Sequence, residues 1–232
     1  FDITYQDATG TQQLCWTTSW GVSTRMMGGL IMAHGDDAGL RVPPRLAAVQ
    51  AVVLVVKDDE AGTVTDAASE VQRALVDAGV RARLDDHVAT AYGRRATDWE
   101  LKGVPLRIDV GPRDLAEGRA VLTRRDTGEK VPMDLAAIPD AAVALLDTIQ
   151  RELHDGALAE RERRTVECTT VEEAAAAAAE GFARVPWSLL DAAALERLGR
   201  DALTVRCVQT PDGELPEGLD DPHNVAIVAR AY

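Results

Sequence analysis

The six residues Ala51-Val52-Val53-Leu54-Val55-Val56 form the densest apolar run of the chain. The run has strand length and lacks polar alternation, which marks a strand covered on both faces. Working outward, Asp66 is placed to cap a helix reaching about Ala78, with Ala67, Val71, Ala74, Leu75 and Ala78 on one side and Gly79 positioned to end it. Val80 to Leu84 reads as the next strand. Val104 to Val110 is a third, in which Val104, Leu106, Ile108 and Val110 alternate with polar Arg107 and Asp109, and Ala120 to Arg124 is a fourth. Strand, helix and strand in that order predict an α/β fold with a mostly parallel or mixed sheet and helices on its faces.

Upstream, the first 39 residues read as two extended stretches and one helix. Cys15 to Trp20 looks like a strand, after which Val22, Met26, Met27, Leu30 and Ile31 recur at helical spacing. Gly28 and Gly29 cost such a helix about 1 kcal/mol each, so a close backbone approach is expected there. The pair Pro43-Pro44 interrupts regular structure and marks a boundary. Downstream of Pro139, the spacing of Val143, Leu146, Ile149 and Leu153 predicts a long helix that ends in the charge cluster Glu160 to Arg164. Thr170 and Glu173 form a capping box before the alanine run, and Leu203 to Val208 and Val225 to Val228 read as strands flanking a Pro- and acid-rich turn. The expected units are residues 1–45, 46–155 and 156–232, the last a small α+β domain.

The 232 residues, 46% of them hydrophobic, suffice for a sizeable core. With 25 Lys+Arg against 38 Asp+Glu the net charge is -13, which excludes nucleic-acid or anionic-membrane binding driven by global charge. Residues 94–130 are the exception: nine basic and seven acidic side chains give that segment +2 and leave -15 for the remainder. No apolar stretch approaches the roughly 18 residues of a membrane span, and no signal-like segment follows Phe1. The expectation is a cytoplasmic chain with no membrane partner, cut from something longer. Cys15, Cys168 and Cys207 are too few and too widely spaced for a disulfide framework, a zinc site or a dithiol redox centre. His34-Gly35-Asp36-Asp37 could suggest a metal, but adjacent aspartates between glycines read more simply as a turn.

The sharpest local feature is Thr18-Ser19-Trp20-Gly21-Val22-Ser23-Thr24-Arg25. Gly21 allows a ligand close to the backbone, Ser23 and Thr24 offer hydroxyls at a helix start, and the Arg25 guanidinium can clamp a phosphate in fork geometry. Serine and threonine at such a place are also ordinary helix caps.

The longer segment TTSWGVSTRMMGGLIMAHGDDAGLRVPPRLA, residues 17–47, resembles the third class II motif and the exit from the catalytic domain of prolyl-tRNA synthetases in their archaeal and eukaryotic-like form. DWELKGVPLRIDVGPRDL, residues 98–115, followed by RRDTGEK, residues 124–130, resembles their anticodon-binding domain. The resemblance implies that Arg25, the site's one catalytic residue, contacts ATP together with Ser23 and Thr24, while Ser19 and Gly21 line a proline pocket. It implies that Glu100, Lys102, Arg107, Arg113 and Asp114 contact the anticodon and that Arg124, Arg125 and Lys130 hold the RNA backbone. The whole enzyme would be a homodimer that activates proline with ATP and Mg2+ and transfers it to tRNA(Pro); this portion alone would be inactive. The other reading is a stand-alone tRNA-binding module, which would have no need of Arg25. Two departures stand out. Gly93-Arg94-Arg95-Ala96 replaces a Gly-Trp-Lys-Phe pattern, so an aromatic stacking contact is in question. Ser188 and Ala193 fall where relatives carry zinc-binding cysteines, and the loop Gly218 to Pro222 replaces a second pair, so no structural zinc is expected. Tyr232 matches a terminal tyrosine of the same form.

Overall fold

A computed structural model describes residues 2–230, which leaves Tyr232 outside the described residues. The chain forms two compact units, Phe1–Asp147 and Thr148–Tyr232.

The first unit opens with the antiparallel hairpin β1 (Thr4–Gln6) and β2 (Gln12–Leu14). Helix α1 follows at Arg25–His34, then the two-residue strands β3 (Gly35–Asp36) and β4 (Gly39–Leu40). The expected strand Cys15 to Trp20 does not form: residues 15–23 have no regular structure. A strand needs a neighbour to pair its amides and carbonyls; Cys15 donates its amide to the Ile3 carbonyl at 2.8 Å, but Trp16 to Trp20 have no backbone partner among the described residues to continue the ladder. The helix begins at Arg25, so Val22 precedes it, and none of its residues is buried. Nor do Gly28 and Gly29 sit in a close approach, since, apart from the helix's own backbone and chain neighbours, none of the described residues lies within 4 Å of a Cβ built on either.

The core of this unit is a five-stranded sheet. Its strands are β5 (Ala51–Val55), β6 (Ala82–Asp85), β7 (Leu106–Val110), β8 (Arg119–Arg124) and β9 (Lys130–Asp134). Helix α2 (Thr63–Asp77) joins β5 to β6, α3 (Tyr92–Leu101) joins β6 to β7, and the short α4 (Pro112–Ala116) joins β7 to β8. The spatial order is β6-β5-β7-β8-β9, with β6, β5 and β7 parallel and β8 and β9 antiparallel. This is the mixed sheet that the strand-helix alternation predicts. Every residue of β5 is buried, as its unbroken apolar run requires. Two details differ from expectation. The buried stripe of α2 is Val64, Ala68, Val71 and Leu75, one residue off the predicted face at Ala67. Asp66 sits in the first turn instead of at the cap: Gly62 occupies that position at φ +76°, and Asp58 and Asp59 bond the free amides of Val64 and Thr63. Two carboxylates ahead of the helix serve the role assigned to one inside it.

Helix α5 (Ile138–Arg163) carries buried Ile138, Ala142, Leu146 and Ile149 at helical spacing and runs from the first unit into the second. The second unit continues with β10 (Thr165–Glu167), α6 (Val171–Glu180), β11 (Phe182–Pro186), α7 (Ala192–Arg200), β12 (Leu203–Gln209) and β13 (Val225–Arg230). Its sheet runs β10-β11-β13-β12, with β10 parallel to β11 and the other pairs antiparallel. The alanines of α6 have a packing role: Ala174 and Ala178 share a core with Ala183, Val185, Ala226 and Val228. The Thr170 hydroxyl accepts from the Glu173 amide, while the Glu173 carboxylate reaches back to the Thr169 amide, one residue earlier than the usual capping box.

Candidate functional site

One face of the first sheet, with helix α3 beside it, brings five of the eight predicted RNA contacts together. In register across five strands lie Arg83, Val52, Arg107, Thr123 and Lys130. Residues paired across strands share a face. Helix α3 closes one side of this face with Trp99 and Glu100, leaving a cavity of about 200 Å³ bordered by Arg107, Thr123, Arg124, Arg125 and Lys130. Five predicted residues, Glu100, Arg107, Arg124, Arg125 and Lys130, thus meet in one place although the first and last are 30 positions apart in sequence. Lys102 does not border the cavity, but its ammonium lies 4.5 Å from the centre of the Trp99 ring that does. Arg113 and Asp114 lie elsewhere, on α4, and do not border the cavity.

The face is organised by buried charge. The Arg107 Nε donates to both oxygens of Asp109, at 3.0 and 3.1 Å. Burial pushes the Asp109 carboxyl up, against the opposing pull of Arg107. Burial also raises the Tyr92 hydroxyl, with the Asp109 charge adding to it. Arg95, inside the segment that departs from the Gly-Trp-Lys-Phe pattern, is a core residue with 4% exposure. Its guanidinium donates to the Asp85 carboxylate at 3.0 Å and to the carbonyls of Asp85, Thr90 and Val55. Trp99 donates its indole N–H to the other Asp85 oxygen at 2.6 Å. Burial alone would raise the Asp85 carboxyl, but hydrogen bonds from Trp99 and Arg95 hold it below the ordinary carboxylate value. Asp85 therefore ties helix α3 to the sheet and fixes the wall that Trp99 provides. Arg94, the neighbour of Arg95, is exposed.

The basic residues differ in freedom. Lys130 is exposed, whereas Arg124 is buried and bidentate to Asp126 at 2.7 and 3.1 Å. Arg125 donates from Nε to the Glu100 carbonyl and from both terminal nitrogens to Asp36, at 3.0 and 2.6 Å. This bond holds the Asp36 carboxyl low. Asp36 Oδ1 also accepts from the Ala38 amide, as an aspartate at a turn does, but the turn itself is only Asp37–Ala38: His34 ends α1 and Gly35–Asp36 form β3. The contact around it is close. A Cβ on Gly39 would lie 2.6 Å from the Leu101 Cα, and one on Gly103 would lie 2.6 Å from the Leu40 Cβ and carbonyl oxygen. Only glycines permit this approach, and Gly103 also has φ +72°.

Thr123 was not singled out by sequence reading, nor were Trp99, Arg83 and Asp85. Trp99 lies inside the segment 98–115, where an aromatic beside Glu100 was a visible signal; Thr123 carried none. It is 8% exposed, and its Oγ1 has no hydrogen-bond partner among the described residues. Burying an unpaired hydroxyl costs about 1–3 kcal/mol, which valine of similar shape would avoid.

Ser19, Gly21, Ser23, Thr24 and Arg25 are all exposed. Thr24 occupies the N-cap of α1 with no side-chain cap bond, and Arg25 is the first helical residue. Around them Trp16 and Trp20 are 103% and 93% exposed, with Val22, Met26, Met27, Ile31 and Met32 also bare. In the second unit Ser188 and Ala193 offer no thiolate, Cys168 is buried and Cys207 exposed, and no group of three or more His, Cys, Asp or Glu among the described residues is arranged to hold a metal. Among the described residues no helix is long and apolar enough to cross a membrane.

Residues 50–145 match the family model described as anticodon binding domain. Along its whole length the chain is 55% identical to a proline-tRNA ligase of Frankia alni, covering 49% of that protein. It is 48% identical to proline-tRNA ligase 2 of Streptomyces avermitilis, again over the whole chain and 49% of the relative. The chloroplastic/mitochondrial proline-tRNA ligase of Arabidopsis thaliana is 39% identical, with the whole chain matching 45% of it. The chain spans about half the length of the curated relatives it matches.

Proposed function

We propose that this chain, which belongs to the proline-tRNA ligase family and corresponds to its carboxyl-terminal portion, supplies anticodon recognition and one ATP contact to a proline-activating enzyme. The observation that carries this reading is the convergence of Glu100, Arg107, Arg125 and Lys130 beside Trp99 on one face of the segment that matches an anticodon binding domain. Charged and aromatic groups around a cavity of base size suit single-stranded RNA, whose unstacked bases offer edges for hydrogen bonds and faces for stacking. Exposed Lys130 and Lys102 attract phosphate, while Glu100 supplies the acceptor that a cation-only surface lacks. Arg113 and Asp114 on α4 belong to a neighbouring part of the RNA contact.

Functionally the chain then divides into a catalytic edge at 1–45, an anticodon-binding domain at 46–155 and a terminal domain at 156–232. In the whole enzyme Arg25 lies against ATP, with Ser23 and Thr24 beside it and Ser19 and Gly21 along the proline pocket. When proline's carboxylate attacks the α-phosphate, a fixed guanidinium stabilises the negative charge that develops and the departing pyrophosphate. Mg2+ accompanies ATP as its substrate complex. The partners are tRNA(Pro), proline, ATP and a second copy of the whole enzyme.

Two measurements on the purified chain test the reading. A hairpin RNA with the anticodon stem and loop of tRNA(Pro) should bind more tightly than hairpins with unrelated loops, and Lys130→Ala should weaken all of them similarly while reducing the salt slope by about one. Proline-dependent exchange of pyrophosphate into ATP should be absent from the chain alone. Equal binding of every hairpin would overturn the recognition role, and exchange by the isolated chain would overturn the division of labour.

A further inference from the structure

We infer that Asp109 is a positioning residue of the RNA-loop face: it holds the Arg107 guanidinium from behind and cancels its charge, so that Arg107 meets a base edge by directed hydrogen bonds and not as a free cation. This rests on the reading of the face as an RNA-loop site, and it gives a role there to a carboxylate outside the set of RNA contacts.

Three observations converge. First, Arg107 and Asp109 stand two residues apart on β7 and so project from the same face of the sheet. The bond between them uses Nε alone, shared by both carboxylate oxygens, and the two side chains are only 14% and 9% exposed. Second, of the three arginines that border the cavity, Arg124 commits a terminal nitrogen to Asp126 and Arg125 commits both of its own to Asp36. Arg107 keeps both of its terminal nitrogens: neither has a hydrogen-bond partner among the described residues, and neither is one of the buried atoms left without a partner. Both therefore reach accessible surface where the side chain borders the cavity. Third, the carboxylate is itself held. The Tyr92 hydroxyl, on the first residue of α3, stands against Asp109, and burial keeps that phenol protonated and able to donate.

The chemistry of the pair decides what it can do. A guanidinium carries five N–H donors in one plane, and a carboxylate on Nε leaves the four at the forked end. With its back fixed, that end has one aim, and it suits a base edge that offers acceptors in the plane of the ring. A phosphate is drawn by net charge, and the Arg107–Asp109 pair has none, whereas exposed Lys130 in the same row keeps its own. Attraction of the RNA backbone and reading of a base thus fall to different side chains of one row.

The test is Asp109→Asn, which keeps the shape and removes the charge, in the purified chain with the tRNA(Pro) anticodon hairpin and hairpins changed at each loop base in turn. Two shifts of opposite kind are expected. The preference for one loop base should shrink about five- to tenfold, because a loosened guanidinium loses its aim. The dependence of log affinity on log salt should steepen by about 0.7, because one more cation meets phosphate. In an Arg107→Leu background the same substitution should reduce the preference no further, since Asp109 acts through Arg107. Tyr92→Phe leaves the ion pair intact and should lose about two- to threefold of the same preference with the salt slope unchanged. If urea titration shows the asparagine variant unfolded, the phenylalanine variant decides, and full retention of the preference by it overturns the role of Asp109. A merely structural role lowers affinity for every hairpin together and leaves the slope as it was. That pattern, or an asparagine variant equal to the parent in preference and slope, overturns the role of Asp109 while the RNA-binding face stands. If the parent shows no preference for this hairpin, both fall together.

Discussion

Residues 15–34 and the face spanned by Arg83, Arg107, Thr123 and Lys130 are the two stretches to which function is assigned, and they are built in opposite ways. On the sheet face four arginines each have a fixed carboxylate neighbour, Arg95 with Asp85, Arg107 with Asp109, Arg124 with Asp126 and Arg125 with Asp36, while Arg83 and Lys130 are exposed. Around Arg25 the tryptophans and methionines are bare, and the segment before the helix has no regular structure. Under the proposed reading the sheet face is held by its own scaffold, whereas the stretch around Arg25 has no buried side chain among the described residues of its helix. Large apolar side chains left bare in this way normally meet a partner surface.

The largest expected effect that would sharpen this contrast is in stability. Arg95→Leu strands the Asp85 carboxylate and three carbonyls in the interior, and should lower unfolding free energy by about 3–5 kcal/mol in urea titration. Arg25→Leu touches nothing buried and should stay within about 0.5 kcal/mol of the parent. Comparable losses from both would break the distinction between a finished and an unfinished site.

A smaller effect concerns acid. Despite the opposing cost of burial, Trp99 and Arg95 hold the Asp85 carboxyl below its unfolded value. Its contribution is therefore complete above that unfolded value, near about 4, and disappears as pH falls through the lower folded one. Asp85→Asn should cost about 1–3 kcal/mol at neutral pH, by loss of hydrogen bonds to a charged group. It should also flatten the decline of the urea midpoint between about pH 5 and pH 3 relative to the parent. An equally steep decline in the variant would move the acid sensitivity elsewhere. The smallest effect belongs to Lys102, whose ammonium lies over the Trp99 ring. Lys102→Ala should reduce stability by no more than about 0.5–1 kcal/mol in low salt.

The sheet was legible because its signal is local. The β5 run is apolar without interruption only if both faces are covered, and the alternation in β7 fixes which side chains travel together. Strand β9 was not legible, since Lys130 to Asp134 is mostly exposed and includes a proline, and only pairing with β8 makes it a strand. Cys15 to Trp20 shows the converse. Its composition favours a strand, yet propensity cannot form a ladder without a neighbour. In the candidate site, charged residues were visible from the motif, but the pairing that separates exposed Lys130 from committed Arg124 depends on folding. Thr123 was invisible for the same reason: a threonine in a strand is ordinary, and only the fold shows its hydroxyl buried without a partner among the described residues.

The bond between Arg125 and Asp36, with Gly39 against Leu101 and Gly103 against Leu40, bears on how such a fold could be moved between proteins. A graft that began at the two prolines, Pro43-Pro44, would remove the Asp36 carboxylate that the Arg125 guanidinium meets and would uncover the end of helix α3. The portable piece therefore starts upstream of Asp36, and a host that receives it also inherits the turn leaving helix α1.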